Sequence, residues 1–255
     1  MLLGWQDRLA AATLTASAEA STLPVSNVVA PTLDLVWRLP ASSGYIDFDL
    51  GSSLSFKVIA LVGTTLTSAA TLRVRASDTD FTTGDLLDTG VLSSLVDNDY
   101  RSIFKEFASV VTARYGRIDI VDSSLSEIDI GVAFLTPVSE PANNQRYGWE
   151  ILPFDRGRRT EVVNGQVVTG GGPRGRGLTF DLDLTEAEAY TIPVALDRAA
   201  GQTGLVLAMA DQDGSYVSQT SVIGFIQRAT GARNYTTGRW RKRFTIREQP
   251  RLNND

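Results

Sequence analysis

The chain has 255 residues, 43% of them hydrophobic, enough for a sizeable core in one large β domain or two domains of roughly 100 to 150 residues. Its formal charge of −5 and pI near 4.9 argue against a generally basic nucleic-acid binder. It contains neither Cys nor His, which excludes a Ser-His-Asp triad, a Cys nucleophile, His-ligated zinc, a thiolate iron–sulfur site and a disulfide framework. Carboxylate pairs, Lys, Tyr and oxygen-ligated cations remain as chemistry, and no cofactor is expected.

Met1 to Arg8 lacks a basic stretch followed by a long apolar one, so no signal peptide is read there. No segment approaches the roughly 18 apolar residues that a membrane span needs, and a soluble protein made in a cytoplasm is expected. Trp37 opens a run whose aspartate-glycine strand end, Tyr45 to Gly51, precedes a buried strand from Phe56 to Gly63. Next, Ala70, Leu72, Val74 and Ala76 alternate with Thr71, Arg73 and Arg75, the pattern of a half-buried antiparallel strand. Ile118 and Ile120 point inward in the same way. Ile128, Ile130, Val132 and Phe134 are read as one further face, with Glu127 and Asp129 opposite.

Two prolines and several small polar residues between Thr136 and Asn144 break the pattern and mark a domain junction. Residues 1–145 carry 9 Lys+Arg against 17 Asp+Glu and the remainder 15 against 12, so the two parts stand at −8 and +3. Tyr147 to Phe154 reads as a strand, and Asn164-Gly165 between Val162-Val163 and Val167-Val168 is a strong hairpin signal. The glycine-rich run from Gly170 to Gly177 lacks the Lys and helix start of a phosphate cradle and reads as a flexible hinge, making the hairpin a projecting arm. Phe180, Leu182 and Leu184 alternate with Asp181 and Asp183, leading into Thr185-Glu186-Ala187-Glu188, a capping-box helix start. Pro193 is awkward inside one helix, so a second short helix capped by Thr191 and ended by Gly201 is expected. Strands return at Leu205 to Ala210, Ser221 to Arg228 and Arg239 to Glu248.

From about Ala12 to Leu135 the order of motifs resembles the discoidin-like, galactose-binding-like jelly roll. The residues concerned are Ala18 to Ser21, Leu23 to Asn27, Trp37-Arg38, Ile46 to Gly51, Val58 to Gly63, Thr71 to Ser77, Ala113 to Ile120 and Ile128 to Leu135. The whole chain, with Tyr147-Gly148-Trp149, Leu184 to Glu188 and Phe244 to Glu248, is similar to tail proteins of long-tailed bacteriophages. That resemblance implies a mainly β chain: an N-terminal jelly-roll β-sandwich over residues 1–138, and over 145–255 a tail-tube-like β-sandwich with a short helical insert that assembles into rings.

Five features invite chemistry. Trp37 beside Arg38 suits a pyranose stacked on an aromatic face next to a fixed cation, or else Trp37 plugs the sandwich and Arg38 pairs with an acid such as Asp34. Asp78-Thr79-Asp80 and Asp211-Gln212-Asp213-Gly214-Ser215 offer carboxylates for Ca²⁺ or simply make turns. Arg239, Arg241, Arg243 and Arg247 share one strand face and demand something negative, either nucleic acid or, more cheaply, Asp181 and Asp183 within the chain or across an interface. Val162, Val163, Asn164, Gly165, Val167 and Val168 form an arm that either engages a neighbouring copy or folds back.

The function expected is that of a non-enzymatic phage tail-tip component, a distal or minor tail protein in the virion. It forms a homo-oligomeric ring, hexameric or trimeric, and docks fibres, receptor-binding proteins, tube or hub proteins, with no specific nucleic acid and no membrane insertion. The alternative is a stand-alone carbohydrate-binding module or adhesin that contacts a glycan through Trp37. A glycosidase is a third reading, for which no sequence spacing supplies the facing carboxylates.

Overall fold

A computed structural model describes residues 1–97, 99–143, 148–155, 158–161, 166–170, 174–201, 203–211 and 216–248. The chain is mainly β, with an N-terminal jelly-roll β-sandwich and a second, sheet-based lobe with a short helical insert. The jelly roll is organised by strand Ser43–Val62, which pairs antiparallel with Ile103–Val121 on one side and with Thr13–Ala16 and Val132–Thr136 on the other. Thr71–Ser77 extends the sheet beyond Ile103–Val121, and the two-stranded ribbon Trp37–Leu39 with Ile128–Ile130 lies outside it. Between them lies a core that contains Ala70, Leu72, Val74 and Ala76, these four from one face of the alternating segment.

Two expectations about this half are corrected. The Tyr45 to Gly51 segment is not a strand end: Ser43–Val62 runs on as one strand, and the irregularity between Asp49 and Leu54 absorbs Gly51 at φ 74°. Nor do Ile128, Ile130, Val132 and Phe134 share a face. Ile128 and Ile130 enter the jelly-roll core, whereas Val132 and Phe134 point the opposite way. Gly131 inserts between the two short strands, its N–H donating to Gly63 O at 3.2 Å, and a one-residue offset inverts every side chain beyond it.

The second sheet runs Leu2–Gly4, Val206–Met209, Ser221–Ala229, Arg239–Glu248, Arg174–Thr185, Glu150–Asp155, with Arg233–Thr236 also on Arg239–Glu248. The strand Leu2–Gly4 therefore lies with the second lobe and not with the jelly roll that residues 1–138 were expected to form. Helix Glu186–Ala199 covers one face through Ala189, Ile192, Pro193 and Leu196. Its capping box is as read, Thr185 with Glu188, but the helix is continuous through Pro193 and not two pieces. Thr191 Oγ1 donates to Ala187 O at 2.9 Å inside the helix and so caps nothing. Pro193 costs one backbone hydrogen bond, which burial of the apolar face against the sheet offsets. Gly201 at φ 53° then ends the helix.

The expected hinge is also corrected in part. Gly175 and Gly177 belong to strand Arg174–Thr185 and are small because the Phe154 ring lies 2.5 Å from where a Cβ would stand at Gly175, and Ile246 O 3.0 Å from one at Gly177.

The two lobes meet through a third apolar cluster. Val58, Ala60, Val62, Phe104, Val132 and Phe134 of the jelly-roll sheet pack on Leu2, Leu207, Met209 and Ile223 of the second sheet. Alternate residues of each strand therefore serve different cores, Ile59 and Leu61 inward against Val58 and Ala60 outward, which buries these segments on both faces. Such an apolar seam is unlike the more polar contacts of loosely linked domains.

Asp7 sits at the crossing between lobes, where its Oδ1 accepts from the Leu9 and Leu135 N–H groups at 3.0 and 3.2 Å. Desolvation pushes its carboxyl up to about 7, against the opposing effect of those two hydrogen bonds. A carboxyl raised in the folded state keeps its proton where the unfolded chain has lost it, so stability falls as pH rises from about 4 through about 7. Asp7→Asn keeps the Oδ1 acceptor. It is expected to raise stability by about 2–4 kcal/mol at pH 8 and by little at pH 4, measured by denaturant titration at both; an equal effect at the two pH values would contradict this account.

Candidate functional site

Trp37 is fully buried, its Nε1 donating to Ala18 O at 3.2 Å, so it plugs the sandwich and offers no face to a sugar. The glycan-stacking role is thereby corrected. A large aromatic flanked by Leu39, Ile128 and Ile130 gains more from burial than from exposure. Arg38 forms a bidentate pair with Asp129 at 2.8 and 2.9 Å, with Glu127 at 3.2 Å. Its guanidinium is held above its ordinary pKa by the Asp129 hydrogen bonds.

The turn acids are consumed locally. Asp78 Oδ1 accepts from Ser53 Oγ and Arg114 N, and Asp80 Oδ1 accepts from the N–H groups of Thr83 and Thr82, which bring its carboxyl down to about 2. Residues 212–215 of the second acidic turn lie outside the described residues. Among the described residues no group of three or more Asp or Glu side chains is placed to hold a metal ion.

On the second sheet, Arg243 pairs bidentately with Asp181 at 2.8 and 2.9 Å, its partner directly across the ladder, and Arg239 reaches Asp183 at 3.6 Å. Arg241 lies over the Tyr235 ring at 5.2 Å and Arg247 over the Phe154 ring at 3.7 Å. Two guanidinium groups are thus met by carboxylates of the same chain and two by aromatic faces, a division that moderates repulsion along the strand. Lys242, on the opposite face, is buried and pairs with Asp197 of the helix at 3.0 Å.

The arm consists of Arg158–Glu161 paired antiparallel with Val167–Gly170, a two-stranded sheet apart from both seven-stranded ones. Val167 is 44% exposed. Val162, Val163, Asn164 and Gly165 lie outside the described residues, as does the side chain of Val168.

Sequence reasoning missed the seam between lobes. A cleft of about 320 Å³ opens there, lined by residues Ser94 to Asp97 and Phe104 to Glu106 of the jelly roll and by Met209 and Val217 to Gln219 of the second lobe. Arg176 anchors it: Nε donates to Glu248 Oε1 at 2.7 Å, Nη1 to Ser218 O and Gln219 O at 2.6 and 3.0 Å, and the guanidinium lies 3.8 Å from the centre of the Tyr100 ring. The signal available in the sequence was the pair of continuous apolar runs, Val58 to Val62 and Leu205 to Ala210, in a chain of otherwise alternating strands.

No family model matches the sequence. No curated protein matches it either. Among solved structures it is similar to a GH29 fucosidase of Ruminococcus gnavus in complex with fucose, at 16% identity and a TM-score of 0.45, over 53% of this chain and 27% of that one. It is similar to the family 32 carbohydrate-binding module of C. perfringens NanJ in complex with galactose, at 13% identity and a TM-score of 0.43, over 53% of this chain and 98% of the module. A chitosan-binding module from a chitosanase/glucanase of Paenibacillus is similar at 15% identity and a TM-score of 0.42, over 51% and 98%. The chain thus spans about a quarter of the fucosidase and nearly the full length of each binding module.

Proposed function

We propose that the chain is a non-catalytic binding and assembly protein, specifically a tail-tip component of a long-tailed bacteriophage in which copies join through the second lobe. The arm carries this reading: a two-stranded ribbon is marginally stable alone in water, and among the described residues this one pairs with neither main sheet. A neighbouring copy supplies the surface that it lacks. The apolar seam holds the jelly roll at a fixed angle to that lobe, as a docking element needs. Light scattering on the purified chain tests the reading. Oligomers are expected, and replacing residues 158–170 by a short Gly-Ser turn should leave monomers of unchanged melting temperature; a wild-type chain that stays monomeric at high concentration and is absent from purified tails would sink it.

A second reading, a carbohydrate-binding module or adhesin, is favoured by the jelly-roll lobe and by the cleft between the lobes, lined by both polar and apolar side chains. Burial of Trp37 moves any such contact away from the position first expected.

A further inference from the structure

We infer that the cleft between the lobes is a binding site for one neutral, hydroxyl-bearing ring, a single monosaccharide unit. The inference rests on the carbohydrate-binding reading and gives it a location that neither lobe has alone.

Leu95 of the jelly roll and Val217 of the second lobe, both half-buried, supply the accessible apolar surface of the cleft, and Phe104 and Met209 lie buried beneath it. Phe104 and Met209 are also members of the seam cluster, so their positions are fixed by packing. Against this stand Asp97, Lys105, Glu106 and Gln219. A pyranose has the same division, with C–H groups on its faces and hydroxyls around its rim. An apolar wall beside a few convergent donors and acceptors is the arrangement that binds such molecules.

Charge narrows the class. Glu106 is neutralised by Lys57 at 2.6 Å, and Lys105 faces the same cleft as Asp97, so two cations and two carboxylates balance. A site without net charge favours a neutral polyol over an anion or a cation, which would leave one sign unpaired in a partly desolvated space. Among the described residues the side chains of Lys105 and Gln219 have no hydrogen-bond or ionic partner, so both are available as donors and Gln219 also as an acceptor. Size narrows it further, because about 320 Å³ lies at the low end of ligand-pocket volumes and suits one ring better than a chain of them.

The backbone gives a second, independent indication. Ser94 at φ 58° and Arg101 at φ 51° are the non-glycine residues with positive φ among the described residues, and they bracket the wall formed by residues 95–97. Conformations of this kind persist where the surroundings enforce them and gather at ligand clamps. Here the enforcing contacts are visible: Arg101 Nη1 donates to Leu66 O at 3.0 Å, Ser218 Oγ to Leu95 O at 3.3 Å, and Arg176 fastens Tyr100 and the 218–219 backbone from behind.

Ligand-observed NMR on the full chain with galactose, fucose and N-acetylglucosamine at millimolar concentration tests the site, with a glycan array run on the same protein. At least one sugar is expected to bind, with Lys105→Ala and Gln219→Ala each weakening it about tenfold at unchanged melting temperature, the size of one lost hydrogen bond, and Arg243→Ala leaving it unaltered. Binding that survives both cleft substitutions would overturn the site but leave the carbohydrate reading standing. No binding in either format would overturn both.

Discussion

Phe134→Ala is expected to destabilise the whole chain by about 3–5 kcal/mol, in one transition seen equally by probes in both lobes. Phe134 is 1% exposed and lies among seam residues of both sheets, so its removal leaves a cavity that neither lobe can close by itself. If the lobes were independent domains on a linker, the same substitution would only roughen a surface and cost within about 0.5 kcal/mol. The tryptophans distinguish the cases, since Trp37 reports on the jelly-roll core and Trp240 and Trp149 border the core of the second lobe. Urea unfolding followed by fluorescence and by circular dichroism should give coincident curves, both shifted. Two separate transitions, with one unmoved by the substitution, would mean that the seam does not couple the lobes.

That coupling explains what could and could not be read in the sequence. Strands with one wet face were legible: the alternation from Ala70 to Ala76 states which side chains are inside, because polar Thr71, Arg73 and Arg75 mark the other face. The capping box at Thr185 was legible because it is a local arrangement of two side chains and two N–H groups. Segments buried on both faces carry no such mark. From Val58 to Val62 every residue is apolar, so periodicity cannot say that odd and even positions serve different cores. At Gly131 the failure is of another kind, since the hydrophobic spacing continues unbroken while the chain passes from one ribbon to another sheet. The candidate site suffered from both. Trp37 looked like a ligand platform because aromatic residues do both jobs, and only the packing of Leu39, Ile128 and Ile130 around it decides. Lys105 and Gln219 carry no local signal at all, being 114 residues apart, and are brought to one cleft by the seam.

The pair Arg176–Glu248 ought to be the most sensitive polar contact at that seam. Arg176 is 1% exposed, and its guanidinium spends its donors on Glu248, the Ser218 and Gln219 carbonyls, and a 3.5 Å contact with Ser102 Oγ. Arg176→Met should cost about 3–5 kcal/mol, because it leaves the Glu248 carboxylate with only the backbone N–H of residue 176, at 3.3 Å, and two carbonyls without their side-chain donor in a largely dry environment. Arg176→Lys should restore little, as one ammonium cannot span three acceptors that a planar fork reaches together. Burial already pushes Glu248 above the ordinary carboxylate range, with Arg176 opposing that shift. Removing the arginine removes the opposition, so the carboxyl rises further and keeps its proton in the folded state at pH values where the unfolded chain has lost it. The folded state then binds more protons than the unfolded one, and the deficit of Arg176→Met must shrink as pH falls from 8 toward 5. Arg176→Met with Glu248→Gln should recover most of the loss at pH 8 and show no such pH dependence. Denaturant titrations of the three variants at pH 5 and pH 8 measure this; a deficit that is the same at both values would show that Arg176 acts through packing on Tyr100 and not through its charge.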